Sequence, residues 1–473
     1  MRSAAPLKPD TTSSDSRVLI RFSPGLATNA EDAFLARALG TLTADRIQQA
    51  LNVDVRSRGI AAGPEQTDAS SAVAEGRVLG VRFVLVGTVR SQDDRSIVSW
   101  RLVDARSGKE MSNGTLSQPV SATDSLVGAM TATLTRAFGK PTYVPPPQDR
   151  VSTPSRTALL SYMRALSEVH AFDRAHLLQA DSSLQAAITA DPKYVAARFR
   201  MAELSVRQLD WVEQRDAERS TLVRKGLWSI GSVLMRDPLN PRALALMGRL
   251  YLHSGKPQLA LPVAAALERV APSSSEAITL RAQALRAVGR DEEALRGLRA
   301  SSPVTERSVN ALMVRADLER RVGDPIAACR VLNRAVALDP LFAPAYVWRA
   351  VVRSTLGERR EGWSDAEVAT RLGREDWGEL AGAFIDLSVR DTLRTKQRIK
   401  PLMTRAALEE AGWMDLLLRA AVSYGLNTPQ QAMLVVRQIP CTDPRRPQLA
   451  REPLLRYLKL PAECSGAKPQ PKA

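Results

Sequence analysis

Apolar and small residues recur with a period of 34 through the last two-thirds of the chain, most clearly from Pro241 to Pro340. Counted from Pro241, Leu244, Met247, Gly248, Tyr251, Ala260, Leu267 and Pro272 stand at positions 4, 7, 8, 11, 20, 27 and 32. The next unit repeats the template with Ile278, Ala282, Leu285 and Ala294. The one after it supplies Leu312, Ala316, Ala328, Leu332, Ala335 and Pro340. Steps of three and four within each half predict amphipathic helices, so each unit reads as a helix pair. Small residues at positions 8 and 20 let the two helices cross closely, and proline at 32 ends the second. A first pair runs through Tyr162, Leu166, Ala180, Leu184, Ala187 and Pro192. A degenerate unit with a long second helix, about Val212 to Met235, follows it. A sixth unit opens near Ala343 and loses the pattern around Trp363. Beyond Trp377 helical spacing persists without the repeat.

Residues 17–138 carry a different pattern. Short segments bounded by turn residues at Arg17–Phe22, Val53–Arg56, Phe83–Val89, Ser96–Val103 and Met111–Leu116 read as five strands. Helical spacing at Glu31–Leu51, Ala69–Leu79 and Thr123–Phe138 predicts three helices, the last with Thr123 or Asp124 as its N-cap. Turns at Gln92–Asp94 and Arg106–Gly108 make the last three strands an antiparallel meander. Residues 139–155, with three consecutive prolines, read as a stiff spacer across which few contacts are expected. The organisation is therefore a leader at 1–16, expected to be flexible, an α/β domain at 17–138 and a linker at 139–155. A helical array at 156–463 and a tail at 464–473, expected to be disordered, complete it.

The 34-residue template resembles the tetratricopeptide repeat, which implies an α-solenoid that binds partners in a groove. The amino-terminal order resembles the TolB-like domain found ahead of such repeats in many bacterial proteins. The resemblance rests on Val18-Leu-Ile-Arg-Phe-Ser23, on Leu79-Gly-Val-Arg-Phe-Val-Leu-Val-Gly-Thr-Val89 and on Leu102-Val-Asp-Ala-Arg-Ser-Gly108. Arg21 departs from the family, which has proline there. Proteins similar to this one often carry an upstream winged-helix or class III adenylate cyclase effector and one membrane span. The resemblance therefore implies the sensory, periplasmic part of a membrane-anchored regulator of signalling or transcription. A cytoplasmic placement follows instead if Met1 is the native start.

Composition changes this picture little. With 66 Lys and Arg against 50 Asp and Glu the chain carries +16, of which residues 1–140 hold only +3. The remainder is spread along helices with no basic run, aromatic RNA-binding motif or zinc-finger spacing, so nucleic acid is not the favoured partner. No stretch approaches 18 consecutive apolar residues. Of three cysteines, Cys329 falls at a small, buried repeat position. Cys441 and Cys464 bracket the last predicted helix and are a candidate disulfide, or two unrelated thiols. His170 and His176 lack the spacing of a helical metal site. No phosphate-binding loop or nucleophile elbow occurs. No catalytic residue, metal or cofactor is expected, and the chain reads as a non-enzyme.

The candidate groove follows from the repeat resemblance, which places certain first-helix positions on the concave face. Those positions hold Arg200, Arg207, Arg242, Arg249, His253, Gln283, Arg286, Asn310, Asp317, Arg320 and Arg321. Arginine recurs at successive levels, and its guanidinium fork matches a carboxylate, so the expected partner is a protein or acidic peptide. Arg249, Arg286 and Arg320 are expected to converge on one concave surface, and charge reversal of any two is expected to weaken binding and spare the fold, since these are not the small packing positions. Two other readings stay open: a free-standing scaffold or assembly factor, and nucleic-acid binding through the basic array.

Overall fold

The structure is a computed structural model. It describes residues 17–24, 30–51, 54–56, 69–92, 95–140, 151, 153–168, 174–211, 216–372, 375–404, 408, 413–439, 446–449 and 452–455. The leader, the tail, most of the linker, His170 and the Cys441–Cys464 pairing lie outside the described residues. The chain divides into two compact units, residues 1–204 and 205–473.

The first unit begins with β1 (Arg17–Pro24), α1 (Ala30–Leu51), β2 (Asp54–Arg56) and α2 (Ala69–Val78). It continues with β3 (Phe83–Gln92), β4 (Arg95–Asp104), β5 (Glu110–Pro119) and α3 (Thr123–Ala137). The order β-α-β-α-β-β-β-α is the one read from the hydrophobic pattern. The strands form one sheet in the order β2-β1-β3-β4-β5. Strand β1 is parallel to β2 and β3, whereas β3, β4 and β5 pair antiparallel. Parallel neighbours require crossover helices, so both faces of β1 are covered. Val18, Leu19 and Ile20 are accordingly all buried, which explains an unbroken apolar run where an exposed strand would alternate. Arg21 reaches α2 and binds the carboxylate of Glu75.

The predicted N-cap of α3 is corrected. A 3₁₀ turn at Val120–Ala122 leads into the helix, the cap residue is Ala122, and no side chain caps it. Thr123 is buried. Asp124 is drawn away from the helix end by better donors. Its carboxylate accepts the backbone N–H of Val151 at 3.1 and 3.0 Å and a guanidinium N–H of Arg46 at 3.3 Å.

That contact shows where the spacer expectation differs from the structure. Beyond Val151 the chain forms α4 (Arg156–Glu168) and α5 (Arg174–Ala190), and α4 packs on α1. Tyr194 donates its hydroxyl to the Val151 carbonyl at 2.6 Å, and Thr153 donates to Asp191 at 2.6 Å. The Arg164 guanidinium lies over the Phe34 ring. The first helix pair thus belongs to the same compact unit as the sheet. Helix α6 (Val195–Trp211) carries the chain across the boundary between the units.

The second unit is all helical. Its elements are α7 (Asp216–Leu234), α8 (Pro241–His253), α9 (Pro257–Val270), α10 (Ser275–Ala287), α11 (Asp291–Ala300) and the short α12 (Ser302–Thr305). Then come α13 (Val309–Arg321), α14 (Pro325–Leu338), α15 (Ala343–Leu356), α16 (Arg359–Arg371), α17 (Glu375–Ser388) and α18 (Thr392–Ile399). The last are α19 (Trp413–Gly425), α20 (Pro429–Gln438) and the four-residue α21 (Arg446–Leu449). Sequence-adjacent helices pack as pairs. First helices start at capping side chains: Asn240, Ser274 and Ser308 each accept the N–H three residues on. They end at Gly255, Gly289, Gly323 and Gly357, spaced 34 apart and all at positive φ. A Cβ on Gly248 would stand 2.4 Å from Leu280 of α10, so the nearest neighbour at position 8 is the first helix of the next unit and not, as expected, the second helix of its own. Cys329 is buried, as expected. The apolar core of the divergent end is continuous from Ala343 to Leu455.

Candidate functional site

Helix α13 builds the site. Asp317, Arg320 and Arg321 stand three and four residues apart, a spacing that puts them on one face. Arg286, one repeat earlier on α10, donates from Nη1 to Asp317 at 2.6 Å. Arg320 donates from Nη2 to the other Asp317 oxygen at 2.8 Å. Its fork also engages Glu452, with Nη1 and Nη2 at 2.6 and 3.0 Å from the two carboxylate oxygens. Arg321 donates from Nη1 to Glu452 at 2.8 Å and from Nε to Asp291 at 3.1 Å. The Arg320 guanidinium also lies 4.9 Å above the Trp348 ring. Three guanidinium groups and three carboxylates thus alternate in one cluster.

The cluster forms one side of a pocket of about 300 Å³. Met313, Leu332, Trp348, Met414, Leu417 and Leu449 contribute apolar wall. The Arg321 and Glu452 side chains are each 4% exposed and Arg320 is 9% exposed. Pairs this buried differ in kind from surface ion pairs, which contribute about 0–1 kcal/mol. Removing one partner leaves an uncompensated charge and costs about 3–5 kcal/mol. Burial alone would raise the Asp317 carboxyl; the guanidinium of Arg286, then those of Arg320 and Arg321, outweigh burial and hold it below the usual carboxylate range. Burial likewise opposes charge on Arg320, and Asp317 and Glu452 overcome it, so this guanidinium is held more firmly protonated than usual.

Of the predicted groove residues, Arg286, Arg320 and Arg321 come together, and Asp317 joins them. Arg200 lies in the first unit and pairs with Asp45 of α1 and with Glu203. Arg207, Arg249 and His253 are half-buried on α6 and α8, where the His253 carbonyl accepts from Arg219 Nε at 3.5 Å. Asn310 is exposed at the start of α13. His176 is 45% exposed, 3.7 Å from Glu168. Of the three arginines expected to converge, Arg286 and Arg320 meet in the cluster and Arg249 is not among its residues, and the expectation that charge reversal spares the fold does not fit Arg320, nor would it fit its neighbour Arg321. These side chains are walled in by acidic partners, so a carboxylate in their place would face two others.

Sequence reasoning missed Glu452, Trp348 and Asp291. Glu452 lies 131 and 132 residues from its arginine partners, in a stretch without repeat signal. Trp348 had a readable signal, since it occurs in the first helix of the sixth unit. Further buried carboxylates use arginines in the same way. Glu319 binds Arg299 and Arg315, and Asp365 binds Arg349 and Arg353. Much of the arginine content is therefore spent inside the array.

Comparison with known proteins follows this geometry. No protein-family model matches the chain, and no curated protein matches it. Among solved structures it is similar to a tetratricopeptide repeat protein from Parabacteroides merdae, with 20% identity over 58% of this chain and 99% of that one, at a TM-score of 0.38. It is similar to MamA at 17% identity over 35% of this chain and 98% of that one, with a TM-score of 0.29. Part of it is similar to TolB from Acinetobacter baumannii at 14% identity, over 26% of this chain and 28% of that one, with a TM-score of 0.21. The fold itself is a small α/β sheet unit followed by an all-α, tetratricopeptide-like array of helix pairs.

Proposed function

We propose that the protein is a non-enzymatic interaction module that docks a carboxylate-bearing protein segment at the arginine cluster of α13. The observation that carries this reading is the convergence of Arg286, Arg320 and Arg321 beside an apolar pocket of about 300 Å³. Arginine forks select carboxylates by geometry, and the adjoining apolar wall accepts the side chain next to one. Arg207, Arg249, His253 and Asn310 belong to the proposed docking surface only as flanking positions, and Arg200 is left out of it. The TolB-like resemblance supports placing this module in the regulatory, periplasmic part of a bacterial signalling or transcription-control protein.

A photoreactive residue at Met313, which lines the pocket, tests the reading in the source cell. A control at Leu393, 67% exposed on α18, reports general surface encounters. The expected result is a protein crosslinked from Met313 and absent from Leu393. Identical products from both positions, or none from Met313, sink it.

A further inference from the structure

The sheet of the first unit ends in two unequal edges. Strand β2 is three residues long, whereas β5 at the other edge runs for ten, Glu110–Pro119. Strand β5 pairs with β4 along its length, and among the described residues no strand pairs with its outer side. An open edge presents a row of unpaired backbone N–H and C=O groups, a template for another strand. Proteins that keep such an edge single place charges or proline along it. Here Glu110 and Pro119 stand only at the two ends, and the register slip between Leu102 and Val103 leaves Met111 as the extra residue. Ser112–Gln118 between them is regular, uncharged and free of proline.

Self-pairing suits this stretch. Ser112–Gln118 is centred on Thr115, whose side chain is exposed. An antiparallel two-fold through Thr115 sets this residue against its own copy, Asn113 against Ser117 and Gly114 against Leu116. Each pair lies on one face of the sheet, and no like charges oppose each other. Charges match at both ends as well. Arg95 of β4 donates from Nε to the Ser117 hydroxyl at 2.9 Å and from Nη2 to the Ser117 carbonyl at 2.6 Å. Asn113 donates to the Glu110 carboxylate at 2.6 Å. Within one chain Arg95 and Glu110 lie at opposite ends of the β4–β5 pair. The two-fold brings Ser117 of one copy to Asn113 of the other, and with them Arg95 to Glu110, once at each end.

Helix α3 packs on the same strand. Its positions 125, 128, 129 and 132 are not fully buried, recur at helical spacing and hold only Ser, Gly and Ala. Nothing stands within 4 Å of where a Cβ on Gly128 would be. The same two-fold keeps both copies of α3 on one face of the joined sheet, where these small residues let the helices approach closely. We infer that the first unit pairs with a second copy of this chain through β5, with α3 beside α3. The pairing is independent of the docking proposed at α13.

Sedimentation velocity of the full chain over a concentration series tests the pairing, with wild type expected to form a reversible dimer. Thr115→Lys and Thr115→Glu each set like charges opposite one another at the exposed centre and are expected to weaken the dimer at least about tenfold. An equimolar mixture of the two is expected to restore it, because opposite charges then meet. Gly128→Leu is expected to weaken the dimer while raising the melting temperature, since leucine favours a helix over glycine and the space beside Gly128 is open within one chain. A wild type that stays monomeric overturns the inference, as does a dimer that the Thr115 variants leave unchanged. If the Thr115 variants lose their circular dichroism signal, Gly128→Leu decides: a dimer as tight as that of wild type overturns the inference, and a weaker one supports it. Hydrogen exchange identifies the occupant. The β5 amides of wild type are expected to exchange more slowly as its concentration rises. Slowing only on addition of source-cell extract points to a foreign strand and overturns the second copy.

Discussion

At the scale of single residues, backbone conformation at the helix ends is the clearest determinant. Gly323 sits at φ 91° with nothing near enough to meet a Cβ, so its requirement is purely conformational. Arg390 occupies the corresponding corner after α17 at φ 59°, where an L side chain is strained. The left-handed region costs a non-glycine residue about 1–2 kcal/mol. Arg390→Gly is therefore expected to stabilise the array by about 1 kcal/mol and Gly323→Ala to destabilise it by a similar amount, read from urea unfolding midpoints. Asp317 gives a second residue-scale test. Its carboxyl is held below the unfolded value of about 3.9, so its contribution is complete at neutral pH and shrinks as pH falls below about 4. Chemical denaturation at pH 7 and pH 3 is expected to show a larger acid loss for wild type than for Asp317→Asn. Equal losses would mean the carboxylate is not stabilised by its arginines.

At the scale of elements, the crossing points decide the packing. A leucine at position 248 drives its Cβ to 2.4 Å from Leu280 on α10, a helix of the next repeat. Gly248→Leu is expected to cost about 1–3 kcal/mol by overpacking. Adding Leu280→Ala is expected to return part of that loss, since the intruding side chain then fills the space vacated. Thermal melts of the two single variants and the double variant measure this coupling. If the double variant shows the simple sum of the single effects, the two helices are not in contact there. Caps and corners were partly readable in the sequence, because Ser, Asn and Gly recur with the period. The cap of α3 was not. Asp124 is a good capping residue by type, but a backbone N–H from 27 positions away claims its carboxylate.

At the scale of the whole molecule, the linker reading and the structure diverge in a testable way. Val151 and Arg200 tie residues 151–204 to the sheet-bearing part through Asp124 and Asp45, and α4 packs on α1. A protease site engineered within residues 141–150 is expected to yield two pieces that still co-elute in gel filtration. Separation of the pieces would show that these contacts are too weak to hold the unit together. Among the described residues, no helix is long and apolar enough to cross a membrane.

The sequence by itself determined what depends on local periodicity. Strand and helix order in residues 17–138, the helix pairs from Pro241 to Pro340 and the small crossing residues all follow from spacing, because side-chain direction repeats with backbone geometry. The arginine positions on α10 and α13 were singled out through the repeat resemblance, which assigns certain first-helix positions to the groove. Tertiary structure alone decided what those arginines face. Glu452 and Asp291 reach Arg321 from different elements, and no spacing rule links residues 131 positions apart. Likewise only packing shows that α4 closes against α1, since a proline-rich segment marks where regular structure stops and not which surfaces meet beyond it.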